Sequence, residues 1–303
     1  METEKQDIYQ RVTTQIIEAV EAGVRGCRMP WHVTAESSLM PLNAASKRFY
    51  RGINVLVLWA SAAVKSYPSN VWATYKQWQE LGAQVREKEK STTVVLWKFP
   101  EREQLDEEQD EETGRKQGRG ILARGYSVFN AAQVDGYQPP AIEPLDDALR
   151  NAAADRFFAT LHAEIQFGGA AAYYDPVGDF IQMPEYRLFR DVSGFYGTLA
   201  HEMTHWSGAP QRLNRDLTPR FGSAGYAVEE LVAELGAAFL CATLGMSSEP
   251  RPDHASYIQS WLGALRNDKR AIFTAASKAQ AAVDWMHAQQ GAQAQADAPA
   301  KAA

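Results

Sequence analysis

The run His201-Glu202-Met203-Thr204-His205 constrains the fold more than any other feature, because it requires a helix with a polar face turned inward. Residues four apart on a helix lie on the same face, so both imidazoles can bind one metal ion. Glu202 lies between them, where its carboxylate can take a proton from a water molecule at that ion. The run therefore predicts a metal centre on a helix over 195–206, with Glu202 as its catalytic base.

A catalytic zinc site with an open position needs a third protein ligand. The helix predicted over 227–244 offers three carboxylates. One strip of that helix combines two glutamates with small residues that allow close approach: Glu230, Ala233, Glu234, Ala237 and Cys241. We assign Glu230 as the ligand and Glu234 as the acceptor of the outer N–H of a ligand histidine. Glu229 is the rival ligand.

The residue types leave the metal and its purpose open. Two imidazoles and a carboxylate suit Zn²⁺ best, but they also suit Mn²⁺ and other first-row ions. The alternative is that the histidines and the glutamate pair at 229–230 form a charged, solvated face without an ion. Against that alternative, Glu234 falls among leucine and alanine positions, where an unpaired charge would be costly to bury.

The chain is long enough for two hydrophobic cores, since single cores stop growing at about 250–300 residues. It has 303 residues, of which 45% are apolar, and its periodicity indicates both helices and strands. We therefore predict an α+β fold with two domains. The predicted divisions are a first domain over 1–137, a linker over 138–144, a second domain over 145–290 and a flexible tail over 291–303.

Local patterns predict the elements of each domain. Helical spacing of apolar residues indicates helices over 7–24, 53–64, 146–162, 195–206 and 227–244, with one or two more over 254–288. Asn70 is a suitable cap for a further helix that ends near Gly82. β-Branched and aromatic runs predict paired strands over 92–99 and 125–130, and a hairpin of two short strands over 170–184.

Charge is distributed unevenly along the chain. Residues 1–99 hold 13 Lys or Arg against 9 Asp or Glu, a net of +4, whereas residues 121–303 hold 14 against 20, a net of −6. The segment 100–120 between them holds 4 against 8. We expect a solvated loop there, with mimicry of DNA phosphates as the less favoured alternative. The basic first part and the acidic second part indicate different partners.

Cations and aromatic residues alternate through residues 28–98, as is typical of surfaces that bind single-stranded nucleic acid. On such surfaces bases stack on aromatic rings and cations follow the phosphates, without sequence readout. The candidate contact residues are Lys47, Arg48, Tyr50, Arg51, Trp72, Tyr75 and Lys76. The alternative is that tryptophans such as Trp72 belong to the core, since they occupy periodic positions in predicted elements.

Signals for a membrane or an oxidising compartment are lacking. No apolar stretch approaches the ~20 residues of a membrane span, and residues 1–13 are too polar for the core of a signal peptide. Cys27 and Cys241 are 214 positions apart and suggest no disulfide framework. We therefore expect reduced thiols in a cytoplasmic protein.

These motifs, in this order, resemble the ArdC antirestriction family. The similar segments of the second half are FGGAAAYYDPVGDFIQMP (167–184), FYGTLAHEMTHWSG (195–208), RLNRD (212–216), FGSAGYAVEELVAELGAAFL (221–240) and residues 260–285. Those of the first half are PW (30–31), PLNAASKRFYRGINVLVL (41–58), WATYKQWQELGAQVR (72–86) and RGYSVFNAAQVDG (124–136). One departure is EKEKS at 87–91, where the family commonly has a glycine-containing turn.

The resemblance implies a single-stranded-DNA-binding domain followed by a zincin-like metallopeptidase domain. It implies that His201 and His205 hold a divalent ion and that Glu202 is the general base. It also implies that a hairpin with Tyr173 and Tyr174 forms an edge strand beside the cleft, open to pairing with a peptide backbone.

The implied biology is protection of incoming conjugative plasmid DNA from host restriction enzymes. The implied partners are single-stranded DNA and a protein substrate or a component of the restriction system. The competing interpretation is a non-enzymatic DNA-binding protein whose metal site is structural or inert.

Overall fold

The computed structural model describes residues 7–24, 29, 31, 40–98, 122–139, 147–218, 223–247 and 254–296. Helices and strands alternate along the chain. In the first half they are α1 (Ile8–Val24), β1 (Leu42–Asn43), α2 (Ile53–Lys65), β2 (Val71–Thr74), α3 (Tyr75–Glu80), β3 (Gln84–Val85), β4 (Thr92–Lys98), β5 (Leu122–Asn130) and β6 (Val134–Asp135). In the second half they are α4 (Asp147–Thr160), β7 (Glu164–Phe167), β8 (Tyr173–Asp175), β9 (Phe180–Met183), α5 (Val192–Trp206), α6 (Ala224–Thr243), α7 (His254–Asn267) and α8 (Ala271–Ala296). The predicted α+β class is confirmed.

The first half is built on a four-stranded sheet in the order β1-β2-β5-β4. Strands β4 and β5 pair antiparallel from Thr92↔Val128 to Lys98↔Leu122, which confirms the predicted strand pair. The charged segment that joins them, including the predicted loop over 100–120, lies outside the described residues. Helix α2 is fastened to this sheet by Asn54, whose side chain donates to Val95 O at 2.8 Å and accepts from Val95 N at 2.7 Å.

The prediction of one helix between Asn70 and Gly82 is wrong for residues 71–74. Val71–Thr74 is strand β2, which lies between β1 and β5, and only Tyr75–Glu80 is helical. The cap is Thr74, whose Oγ1 accepts from Gln77 N while the Gln77 side chain accepts from Thr74 N. Sheet pairing on both sides overrides the helical spacing, because valine, tryptophan and threonine suit a buried strand.

The turn at 87–91 forms without glycine. Lys88 adopts a φ of 67°, in the left-handed region that side chains other than glycine rarely occupy. Strands β3 and β6 pair antiparallel just before this turn, through Gln84↔Asp135 and Val85↔Val134. The chain therefore forms a turn here with a lysine in the left-handed conformation.

The second half contains a three-stranded sheet in the order β7-β9-β8. Strands β8 and β9 form the predicted hairpin, and β9 also pairs in parallel with β7, which the sequence did not predict. Strand β8 is therefore an edge of this sheet, as the resemblance implied. Helix α6 packs against both α5 and α8.

The two halves share one hydrophobic cluster. Buried residues of α1 and α2 belong to the same cluster as those of α6, α7 and α8, and the Trp59 and Phe239 rings lie 5.8 Å apart within it. Gly52 N donates to Gln280 Oε1 at 3.0 Å across the boundary. Of the predicted linker over 138–144, only residues 138–139 are described.

Helix α8 continues to Ala296, so the tail predicted over 291–303 is helical in its first residues, and the rest lies outside the described part. None of the described helices is both long and apolar enough to span a bilayer.

Candidate metal centre

Two capped helices carry the centre. The side chain of Asp191 accepts from Gly194 N at 2.8 Å at the start of α5. Ser223 Oγ accepts from Tyr226 N at 3.2 Å at the start of α6. Such caps satisfy backbone N–H groups that the first turn leaves unpaired. The two helices then cross closely enough for histidines of α5 to meet glutamates of α6.

Three side chains converge at this crossing. The Nε2 atoms of His201 and His205 are 3.2 Å apart. Oxygens of Glu230 lie 3.6 Å from His201 Nε2 and 3.5 Å from His205 Nε2. Ligands at about 2.0–2.2 Å from a tetrahedral ion are separated from one another by about 3.3–3.6 Å. The spacing and the N/N/O donor set therefore fit one divalent ion.

The outer nitrogen of each histidine faces a second carboxylate. His205 Nδ1 donates to Glu229 Oε1 at 3.3 Å. His201 Nδ1 lies 3.8 Å from Glu234 Oε2, within ion-pair range but beyond hydrogen-bonding distance. A proton held on Nδ1 leaves the Nε2 lone pair free for an ion. Glu229 thus faces the outer edge of a ring, which is the task that the sequence analysis gave to Glu234 alone.

Two further residues support these carboxylates, and the sequence analysis did not identify either. Arg215 donates from Nη2 to Glu229 Oε1 at 2.9 Å and from Nη1 to Ser207 Oγ at 3.0 Å. Trp31 donates from Nε1 to Glu234 Oε1 at 3.1 Å. Arg215 lies in the RLNRD segment and Trp31 in the PW pair, so the resemblance marked both segments without giving them a task. No local spacing could have linked Trp31 to a residue 203 positions away.

The electrostatics of the centre follow from burial and close opposite charges. Burial lowers the pKa of His205, but hydrogen bonds and charge from Glu229 and Glu230 outweigh it and raise the pKa to about 10. Burial raises the pKa of Glu230, but the hydrogen bonds to the two histidines hold it well below the usual range. On the same strip of α6, burial raises the pKa of the Cys241 thiol to about 12, assisted by Glu234.

An open cleft of about 980 Å³ leads to the three candidate ligands His201, His205 and Glu230. Glu202 lines it and is 4% exposed. Edge strand β8 forms one wall, where Tyr173 is 46% exposed. Gly197 lies on α5 one turn before His201, and a Cβ there would meet nothing within 4 Å. The cleft is therefore an open space between α5 and strand β8, whose outer edge pairs with no other strand in the part of the chain that the structure describes.

The candidate DNA contacts of the first half fall into two groups. Lys47, Arg48, Tyr75 and Lys76 are exposed. The turn that carries Lys47 and Arg48 lies beside the start of α3, because β1 pairs with β2 and Asn43 Nδ2 donates to Gln77 Oε1 at 3.3 Å. Phe49, which lies in the same KRFYR run at 47–51, is 59% exposed beside them. We call Lys47, Arg48, Phe49, Tyr75 and Lys76 the basic turn surface.

The other three candidates are placed differently. Trp72 is completely buried in the sheet, so its inclusion among the DNA contacts is corrected: its ring has no face open to a base. Tyr50 is half-buried, and its hydroxyl accepts from Asn43 Nδ2 at 3.0 Å. Arg51 forms an ion pair with Asp284 of α8 and thus joins the two halves.

Comparisons with known proteins match both halves of the chain. Residues 6–129 match the family model of the N-terminal domain of anti-restriction factor ArdC. Residues 152–278 match that of the zincin-like metallopeptidase. An uncharacterized protein of Sinorhizobium fredii, y4eC, is 54% identical over 94% of this chain and 92% of its own length. DNA primase TraC of Escherichia coli is 35% identical over 93% of this chain, which spans only 27% of that protein.

Two solved structures are similar over nearly the whole chain. The metal-free structure of the antirestriction ArdC protein from plasmid R388 is 41% identical, with a TM-score of 0.77 over 95% of this chain and 99% of that one. The Mn(II)-bound structure of the same protein gives a TM-score of 0.75 over 94% and 98%.

Proposed function

This chain belongs to the ArdC antirestriction family, and from that premise we propose that it is a DNA-binding metallopeptidase. In this proposal the N-terminal half binds single-stranded DNA without sequence preference, and the C-terminal half hydrolyses peptide bonds. Together they protect incoming conjugative plasmid DNA from host restriction enzymes in the cytoplasm. We propose that residues 138–144, the predicted linker, separate the two activities.

The observation that carries the peptidase proposal is the convergence of His201, His205 and Glu230 at the floor of a cleft that also contains Glu202. We propose that the first three hold one divalent ion, Zn²⁺ or Mn²⁺. The Mn(II)-bound structure of the R388 relative supports a divalent ion in such a protein. A bound ion of this kind supplies Lewis acidity, polarising a carbonyl and lowering the pKa of a water molecule.

The chain's own residues perform the remaining steps. Strand β8 offers its free edge to an extended peptide, so that main-chain hydrogen bonds align the scissile bond with the cleft. A carboxylate oxygen of Glu202 takes the proton of the attacking water and delivers it to the leaving amide nitrogen. Glu229 and Glu234 keep the outer nitrogens of the histidines oriented. The substrate class is therefore an extended protein segment, such as one in a component of the restriction system.

Glu202→Gln tests the peptidase proposal, because it keeps shape and hydrogen bonding but cannot accept a proton. We expect full metal content, an unchanged melting temperature and a loss of hydrolysis of a denatured protein substrate by at least ~100-fold. Gly197→Leu is the companion variant, because a Cβ there meets nothing within 4 Å and a larger side chain would narrow the open cleft, so it should also lower hydrolysis. Undiminished hydrolysis in Glu202→Gln would remove Glu202 as the base.

The second candidate function is a non-enzymatic DNA-binding protein with a structural or inert metal site. It is favoured by the exposed basic turn surface, which is built without any contribution from the cleft. A plasmid-transfer assay into a restricting host separates the two. If Glu202→Gln still protects the incoming DNA, hydrolysis is dispensable for protection and the second candidate is correct for that role.

The DNA-binding proposal depends on the basic turn surface. A base stacked on an exposed ring contributes about 1–3 kcal/mol, so Phe49→Ala and Tyr75→Ala should each weaken binding of a labelled single strand at least ~5-fold. Phe167→Ala is the control, since Phe167 is 58% exposed on the other half. Affinity should fall steeply between 50 and 200 mM salt, as cation–phosphate contacts require. An unchanged affinity in both variants would exclude this surface.

A further inference from the structure

We propose that Trp31, a residue of the N-terminal half, is a positioning residue of the metal centre, so that ion binding and docking of the two halves are coupled. This inference rests on the proposed metal site of the C-terminal half. It adds that the site is incomplete without the other half of the chain.

The contact is direct and buried. Trp31 is 1% exposed and Glu234 is 4% exposed. The indole Nε1 of Trp31 donates to Glu234 Oε1 at 3.1 Å, and the other oxygen, Oε2, lies 3.8 Å from His201 Nδ1. The Trp31 ring is itself held edge-on against Trp261 of α7, with ring centres 6.1 Å apart. One indole group thus connects the N-terminal half to a ligand histidine through a single carboxylate.

Trp31 is expected to affect metal affinity because it helps to orient the Glu234 carboxylate. A glutamate as buried as Glu234 is held in place by the donors around it, and the indole N–H is a donor that cannot rotate away. With that hydrogen bond removed, Glu234 loses part of what fixes its second oxygen toward His201. Outer partners of metal-bound histidines typically change metal affinity 10–100-fold.

The two histidines are supported from different parts of the chain. The His205 partner Glu229 is held by Arg215, which is 14 residues away in the same half. The His201 partner Glu234 is held by Trp31 from the other half. Among the described residues, the contact from the other half therefore falls on the His201 side. Because coupling between two equilibria is reciprocal, a bound ion should in turn stabilise the docked arrangement.

The test compares Trp31→Phe with Trp72→Phe. Both remove an indole from the buried part of the N-terminal half, but Trp72 Nε1 has no hydrogen-bond partner within the described structure. Dissociation constants for Mn²⁺ and Zn²⁺ are measured by chelator competition on the full chain. We expect Trp31→Phe to weaken binding ~10-fold or more, and Trp72→Phe to leave it within about twofold. The rise in melting temperature on adding Mn²⁺ should shrink only in Trp31→Phe.

A variant that removes only the N–H group distinguishes loss of the hydrogen bond from a packing defect. Replacement of Trp31 by 3-benzothienylalanine keeps the two-ring shape and lacks the donor, so it should weaken metal binding as Trp31→Phe does. In a double-mutant cycle, Trp31→Phe and Glu234→Gln should be less than additive in their effect on metal affinity, whereas Trp72→Phe and Glu234→Gln should be additive.

The outcomes separate this inference from the proposed function. If the unaltered chain binds no divalent ion, the proposed metal site and this inference both fail. If the unaltered chain binds an ion and the benzothienyl variant binds it equally well, only the coupling through Trp31 is overturned. Weaker binding in the Trp31 variants, with Trp72→Phe unchanged, establishes the coupling.

Discussion

The two ring nitrogens of each histidine in the centre face different glutamates of α6. Glu230 lies near both Nε2 atoms, whereas Glu229 and Glu234 lie near the Nδ1 atoms. Glu229 also carries the ion pair with Arg215, which is buried with it. Neighbouring positions of one helix can therefore supply the proposed ligand Glu230 and the proposed support Glu229, because successive side chains point about 100° apart.

The glutamate assignment predicts different losses for Glu230→Gln and Glu229→Gln. Loss of an outer partner should weaken metal binding about 10–100-fold, as at comparable positions in other sites. Loss of the ligand charge itself should weaken it by a larger factor. Metal content after dialysis and dissociation constants by competition measure both. A larger loss in Glu229→Gln would show that Glu229 is the ligand.

The raised pKa of His205 predicts a pH-dependent metal affinity. Its pKa of about 10 lies above the ordinary 6.5, so without an ion the ring holds its second proton throughout the neutral range. An ion at Nε2 must displace that proton, so affinity should rise up to tenfold per pH unit between pH 6.5 and 8.5. Calorimetry in two buffers of different ionisation enthalpy should show at least one proton released. A flat profile above pH 7 would contradict the raised pKa.

At the scale of residues, the sequence predicted which residue types form the centre better than it predicted which distant residues contact them. The spacing of the HEMTH run predicted a shared face for His201 and His205, because that depends only on helical geometry. The partners Arg215 and Trp31 were not predicted, since they depend on how separate segments pack. Trp72 was chosen for its aromatic ring, but sheet pairing on both sides buries it.

At the scale of elements, the centre depends on how closely α5 and α6 approach. A Cβ at Gly236 of α6 would lie 2.5 Å from Thr204 Cγ2 of α5. Thr204 is itself completely buried and its hydroxyl donates to Ala200 O at 2.8 Å, so it has little freedom to move. The sequence analysis expected close approach through small residues on α6, and the structure adds Gly236, a glycine outside the strip it named, as a point of close approach.

That close approach predicts opposite effects for two Gly→Ala changes in helices. Gly236→Ala should destabilise the fold by about 1–3 kcal/mol, the usual cost of overpacking, and should weaken metal binding by moving Glu230. Gly263→Ala on α7 is the control, since a Cβ there meets nothing within 4 Å, and it should stabilise by about 0.5–1 kcal/mol. Urea unfolding measures both. Equal stability of the two variants would contradict the packing described.

Helices and strands were predictable where the hydrophobic periodicity of the segment was sufficient to indicate the structure. The amphipathic helix α1 and the β4–β5 pair were predicted because their periodicity agrees with their environment. Strands β2 and β7 were not, because a four-residue strand gains its stability from neighbouring strands rather than from its own pattern. Over only four residues, the apolar pattern of a strand is hard to distinguish from that of one helical turn.

At the scale of the whole molecule, two segments with separate family matches share one hydrophobic cluster. The sequence predicted two domains from length and charge, and the matches to two family models confirm that architecture. It could not predict how intimately they pack, because contacts such as Gly52 to Gln280 and Trp31 to Glu234 join residues more than 200 positions apart. Helices α1 and α2 are therefore packed into the core of the second half, whereas Ala44 and Trp78, close in sequence to the proposed DNA surface, belong to a separate smaller cluster.

The most direct test of the central claim is anomalous X-ray diffraction from crystals of the chain grown with Mn²⁺. The account predicts a single strong peak between the Nε2 atoms of His201 and His205 and the carboxylate of Glu230, with Glu229 and Glu234 outside its coordination sphere. A peak bound by Glu229 instead, or crystals with both histidines ordered and no peak between them, would contradict the metal centre on which the proposed hydrolysis depends.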